Sequence, residues 1–354
     1  MTETDNDPPR IVADIGGTNA RFGLVDPDSH DPRAQRTYPS AEFDDLGDVM
    51  ARYIESLSGE RRPESACVAI AAPSFRDTVV FANLHWEFSI EETRRRLGLK
   101  RLVMMNDFAA LAMAIPDIPE DNRARIGGGQ SVPGQPVAVV GPGTGLGVAG
   151  LVQAYGRWMP LPGEGGHINF APSDDEEVDI FQIVRGDRDR VSAERLLCGS
   201  GLQRLYRTYC KLDRLAADGW SRSVESALRE KHPALENQTD DYLEPSAITE
   251  RALDARDDRC LRALSRFCAM LGTFSGDMAL TYGARGGVCL GGGILPRLPA
   301  FLEQSAFRQR FEAKGRMHDY VAAIPTTLIT HAIPALSGAA AWLEVVIDME
   351  TTRP

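Results

Sequence analysis

VADIGGTNARFGLVD, residues 12–26, is the stretch whose reading decides the fold. Ile11–Ile15 is a short, apolar, β-branched run, and Gly16-Gly17-Thr18 follows at once, so the spacing predicts a strand entering a tight turn. Residues 21–25 resume the extended pattern until Asp26-Pro27-Asp28-Ser29 stops it, which makes a glycine-tipped hairpin. Glycine has no Cβ, so backbone N–H groups at such a tip can approach a polyphosphate closely. Asp14, just before the turn, is placed to hold Mg²⁺ through water. In isolation a Gly-Gly-Thr hairpin is more often a plain β-turn, and the rest of the chain has to decide between the two.

The theme returns further along. Val137–Val140 leads into Gly141-Pro142-Gly143-Thr144-Gly145-Leu146-Gly147 and out through 148–152, so Gly143-Thr144-Gly145 offers a second cradle with a hydroxyl donor. A repeated strand–glycine–strand unit predicts a duplicated, two-lobe architecture with one nucleotide between the lobes. A third strand, 287–290, feeds Gly291-Gly292-Gly293, where a flat adenine can lie against backbone. Neither GxxxxGK[ST] nor a dinucleotide fingerprint followed by a ribose-binding acid is present, so P-loop kinases and dehydrogenases are excluded.

Between these turns, strands are expected at 67–72, 101–105 and 326–331. Helices are expected at 108–114, 193–211 and 336–347, and 248–282 reads as one long or broken helical stretch. Residues 116–136, rich in Pro and Gly, read as a crossover between lobes, and 212–245 as a loop or short-helix insert. Alternating strands and helices opened by a β-hairpin argue for an α/β fold. The 354 residues exceed what one compact core usually organises, which predicts two lobes and room for a cleft between them.

Asn106 and Asp107 fall at a strand's C-terminal end, where open α/β sheets place their ligands. Asp107 suits a general base that takes the proton of a sugar hydroxyl during phosphoryl transfer. It equally suits the N-cap of a helix beginning at Phe108, and the two roles are compatible. Glu164 and His167, in LPGEGGHINF (161–170), can donate to or accept from vicinal hydroxyls. A zinc role for His167 lacks a nearby cysteine cluster or a second spaced histidine. Glu194 follows Val191-Ser192-Ala193 and is read as opening a helix, where the dipole favours an acid.

The net charge of −11 and pI near 5.1 set the overall field against nucleic acid and anionic membrane surfaces. ATP still binds such a protein where backbone N–H groups, helix N-termini and a metal supply local positive potential. The six cysteines are scattered without a CxxC pair, which suits reduced thiols. An acidic N-terminus without an apolar core and the lack of a membrane-length apolar run predict a cytoplasmic protein with no membrane partner.

Together these residues resemble the bacterial glucokinase family, the hexokinase-like branch of the actin-type ATPase superfold. The resemblance runs from about Ile11 to Leu343. It is carried by VADIGGTNARFGLVD (12–26), NLHWEFS (83–89), NDFAALAMAIP (106–116), GPGTGLGVAGLV (141–152), LPGEGGHINFAP (161–172), VSAERLLCGSGL (191–202) and GGVCLGGGILPR (286–297). It implies an ATP:D-glucose 6-phosphotransferase with a duplicated ribonuclease H-like, two-lobe fold and an interdomain cleft. Asp107 is then the base, and Asn83, Asn106, Glu164, His167 and Glu194 bind glucose. Gly16, Gly17, Thr18, Asn19, Gly143, Thr144, Gly145 and Gly292 serve ATP, with Mg²⁺ at Asp14.

The resemblance further implies a small domain of residues 1–117 plus 334–354, a large one of 118–333, and a homodimer. The cysteine motif of the related zinc-binding repressor–kinases is missing, so no zinc is expected. Pro142 departs from the family pattern and removes one N–H from the second turn. Motifs leave other hexoses open as substrates, and ADP or polyphosphate as donors. A DNA-binding regulator of the same fold is disfavoured by the charge and by the ten or so residues ahead of the first phosphate motif.

Overall fold

The computed structural model describes residues 7–27, 29–71, 77–81, 84–254, 257–331 and 334–352. The chain divides into two compact units: residues 1–123, 149–162 and 331–354 form one, and 124–148 with 163–330 the other.

The first unit is built on strands β1 (Arg10–Ile15), β2 (Asn19–Val25), β3 (Arg33–Pro39) and β4 (Ser65–Ile70). A small separate pair, β5 (Thr78–Val80) with β6 (Glu87–Ser89), and then β7 (Arg101–Asn106) follow. The five-stranded sheet runs β3-β2-β1-β4-β7. β1–β2 and β2–β3 are antiparallel, whereas β1–β4 and β4–β7 are parallel. All six residues of β4, SACVAI, are buried, as a central strand covered on both faces requires. Phe22, Tyr53, Trp86 and Leu24 fill the core on the side of helix α1 (Leu46–Glu55). Helix α2 (Ile90–Leu97) is capped by Ser89 and stopped by Gly98 at φ 67°. Helix α3 (Asp107–Ala114) leaves β7 directly, and the C-terminal helix Pro334–Thr351 packs along it.

The second sheet contains β8 (Arg123–Gly127), β9 (Val137–Pro142), β10 (Leu146–Ala154), β11 (Arg157–Gly163), β12 (Gly287–Leu290) and β13 (Thr326–Ile329), in the order β11-β10-β9-β12-β13-β8. The division between the units passes through β10 and β11. β9–β12 and β12–β13 are parallel. Apart from β8, this order repeats that of the first sheet: three chain-consecutive strands in reverse, then two more. The core behind it is supplied by helices Gly199–Ala217 and Asp258–Tyr282, through residues such as Leu205, Tyr209, Phe267 and Leu271.

The structure refines several sequence expectations and corrects others. The 116–136 crossover contains β8, an edge strand whose Arg123-Ala-Arg-Ile-Gly pattern is too polar to announce itself. The helix expected at 193–211 begins only at Gly199 and runs to Ala217. Ahead of it, the Ala193 and Glu194 N–H groups donate to Ile168 and Gly166, and those cross-loop bonds hold the segment out of the helix. The 248–282 stretch is the broken alternative: two helices, Pro245–Leu253 and Asp258–Tyr282, the second capped by Asp257. The insert carries a short helix, Val224–Arg229, over a small core of Leu215, Val224, Ala227 and Ala234. Among the described residues, no helix is long and apolar enough to cross a membrane.

Candidate active site

In the first unit the candidate residues gather at the C-terminal ends of the parallel strands. Register pairs Ile15 with Ile70 and Ile70 with Asn106, so the Gly16–Thr18 turn and the β7–α3 junction leave the sheet at one level. With strands about 4.8 Å apart, they lie about 10 Å from each other across the sheet. The turn is closed by Gly16 N–H donating to Asn19 O at 2.9 Å. A Cβ on Gly16 would come no nearer than 3.7 Å to any other part of the chain. The fold therefore does not itself demand glycine there, and a closely approaching ligand would.

Asp14 pairs with Arg21 across the hairpin, Oδ2 to Nη1 at 3.1 Å, and its side chain is 19% exposed. Burial pushes its carboxyl up from the ordinary range, and the Arg21 guanidinium pulls it only part of the way back. A single carboxylate with an oxygen engaged by arginine suits a hard cation held mainly by phosphates and water.

At the β7–α3 junction, Asn106 rather than Asp107 is the N-cap: its Oδ1 accepts from Phe108 N–H at 2.9 Å and Ala109 N–H at 3.1 Å. Asp107 becomes the first helical residue, with Oδ1 accepting from Phe108 N–H at 2.8 Å. Capping by its neighbour means that Asp107 is not required for the helix start. The expected sugar contact Asn83 lies outside the described residues.

The second unit brings four separated segments together. Gly143 N–H donates to Gly145 O at 2.8 Å, closing the Gly143-Thr144-Gly145 turn, and Gly199 N–H donates to Gly143 O at 2.9 Å. Gly292 has φ +82°, and a Cβ there would lie 2.4 Å from Pro142 O, so the third glycine turn lies against the second. Glu164, His167 and Glu194 converge beside it. The His167 ring sits between the two carboxylates, Nε2 3.9 Å from Glu164 Oε2 and Nδ1 3.9 Å from Glu194 Oε1. Those separations exceed hydrogen-bond length, which leaves the groups to face a ligand rather than each other. Glu164, His167 and Glu194 side chains are 63%, 55% and 31% exposed, well suited to a hydroxylated molecule from solvent.

Two supporting residues, Ser40 and Arg190, escaped the sequence reading. Ser40 is fully buried, its Oγ donating to Gly16 O at 3.0 Å and its N–H to Thr18 O at 3.0 Å, so it clamps the first turn from outside. Arg190 Nη1 donates to His167 O at 2.7 Å. Neither lies in a motif, and nothing local marks them. Arg21 was legible, because a hairpin tipped at Gly16–Thr18 sets residues 14 and 21 opposite each other.

A glucokinase family model matches residues 11–346. A glucokinase of Chromobacterium violaceum is 46% identical over 335 residues, 95% of this chain and 89% of that protein. The crystal structure of a glucokinase from an Antarctic psychrotroph superposes with a TM-score of 0.80 at 34% identity, covering 96% of this chain and 99% of that one. A ROK family glucokinase from Streptomyces griseus, in complex with glucose and AMPPNP, superposes at 0.60 with 20% identity, over 94% and 98% of the two chains, and shows likeness of fold alone. With its family model, curated relatives and solved structures in agreement over nearly its full length, the chain belongs to the glucokinase family.

Proposed function

We propose that this chain transfers the terminal phosphoryl group of ATP to the 6-hydroxyl of D-glucose, giving glucose 6-phosphate and ADP. The observation that carries the reading is the cluster of Glu164, His167 and Glu194 beside the Gly143–Gly145 turn, in a chain 46% identical to a glucokinase. A triad of exposed acceptors and an imidazole fits a polyol, and the adjoining backbone cradle fits phosphates.

In this reading Asp107 takes the O6 proton as that oxygen attacks the γ-phosphorus; the bond from phosphorus to the ADP oxygen breaks and the proton stays on the carboxylate until release. Asn83, Asn106, Glu164, His167 and Glu194 orient the sugar. Asn106 has its Oδ1 committed to the cap, so its amide nitrogen is the donor left for a hydroxyl. Gly16, Gly17, Thr18 and Asn19 line the nucleotide side together with Gly143, Thr144, Gly145 and Gly292. Mg²⁺ supplies charge neutralisation for the phosphates when bound, with Asp14 holding it through water. The proposal includes a small domain of 1–117 with 334–354, a large domain of 118–333, a cleft closing between them over glucose, a homodimer, and a cytoplasmic location.

Purified protein with Mg²⁺-ATP and glucose should yield glucose 6-phosphate. Asp107→Ala should lower kcat by about 10²–10⁴-fold with an unchanged circular dichroism spectrum. Near-normal turnover in that variant would remove Asp107 as base, and a panel of hexoses compared by kcat/KM decides the sugar.

A further inference from the structure

The Glu194 carboxylate faces two ways. Oε1 looks toward His167, while Oε2 accepts the Leu146 N–H at 2.9 Å. Leu146 opens β10 and directly follows the Gly143-Thr144-Gly145 turn, so this bond sets the direction in which the turn leaves. A Cβ on Gly145 would lie 2.6 Å from Glu194 Oε2: the carboxylate occupies the space a side chain would need. The Glu194 backbone is also fastened to the glycine-rich loop, its N–H donating to Gly166 O at 2.8 Å. Gly166 in turn lies against Leu146, where a Cβ would come within 2.1 Å of the Leu146 oxygen. Three segments distant in sequence are thus locked around one amide.

We propose that Glu194 is a positioning residue for the phosphate turn, and that it links hexose occupancy to nucleotide affinity inside the second unit. The inference rests on the glucose and ATP reading of this site and adds a coupling to it. A sugar hydroxyl donating to Oε1 orients the carboxylate and pins Oε2 on the Leu146 amide, which holds the 143–145 turn in one shape. The turn's amides are then organised before phosphates arrive. Linkage makes the effect reciprocal: nucleotide on the turn must raise sugar affinity by the same factor.

Isothermal titration of glucose into the full-length protein, with and without Mg²⁺-AMPPNP, measures this directly. The analogue should lower the glucose Kd about fivefold or more. Gly145→Ala, which adds a methyl on the phosphate turn, should raise the glucose Kd about tenfold even without nucleotide. Glu194→Gln keeps an oxygen for the Leu146 N–H and should raise the glucose KM far more than the ATP KM. Glu194→Asp cannot reach that amide and should raise both. An analogue-independent glucose Kd, or a Gly145→Ala protein whose glucose Kd stays within twofold, overturns the coupling. If Gly145→Ala does not fold, the Gln and Asp variants decide: equal ATP KM values for the two overturn it. Lack of glucose phosphorylation by the unaltered chain would instead overturn the proposed function.

Discussion

Asp14 shows how much a single contact can matter. Burial raises its carboxyl and Arg21 opposes that rise, so removing the guanidinium leaves burial unanswered. Arg21→Met should therefore move the acid limb of the pH–rate profile to higher pH, while Arg21→Lys should move it less; an unshifted limb would show that ionisation of Asp14 does not govern turnover. The residues at this scale were legible to differing degrees. Asp14 and Arg21 declare themselves through hairpin symmetry, and Asn106 through its place ahead of a helical run. Ser40 does not, because a serine opening a short 3₁₀ turn is ordinary until tertiary folding buries it against Gly16.

At the scale of elements, the critical contact is helix against helix. Gly338 on the C-terminal helix faces α3, and a Cβ there would lie 1.7 Å from Ala110 O. Such backbone contact leaves no flexible side chain to yield, so Gly338→Ala must push α3, whose first residue is Asp107. Overpacking of this kind costs about 1–3 kcal/mol. Thermal denaturation should show the loss, and kcat should fall with it; a wild-type Tm would refute the packing argument. Elements with strong local signals were readable, notably β1, β4 and α3. β8 and the true start of the Gly199–Ala217 helix were not, since an edge strand needs no apolar pattern and the bonds from 193–194 to 166 and 168 are non-local.

At the scale of the whole molecule, stability should depend on pH through His30. Its ring joins the β2–β3 connection to Asp117 and Glu344, each at 2.7 Å. Burial alone would lower its pKa, but the hydrogen bonds the protonated ring donates to the Glu344 and Asp117 carboxylates, with their charge, outweigh it and hold the value above 6.5. A raised folded value means that the contribution is complete below about pH 6.5 and is lost as pH rises through the folded pKa. Chemical denaturation across pH 6–9 should show that decline, and His30→Gln should flatten it. The proposed cleft makes a second prediction at this scale: glucose should shrink the radius of gyration measured by small-angle scattering, and an unchanged value would argue against closure.

The sequence alone determined the chemistry on offer: glycine turns after β-strands, an Asn-Asp pair at a strand end, acids and a histidine in glycine-rich loops. Those signals are local, because turn geometry and strand periodicity depend on a few neighbouring residues. Family membership was equally present in the ordered motifs. Only the folded chain decided that Glu194 stands outside the helix and under Leu146, and that 149–162 associates with the first unit. Each of these follows from hydrogen bonds or close packing between segments tens to hundreds of residues apart, which no pattern along one stretch of chain encodes.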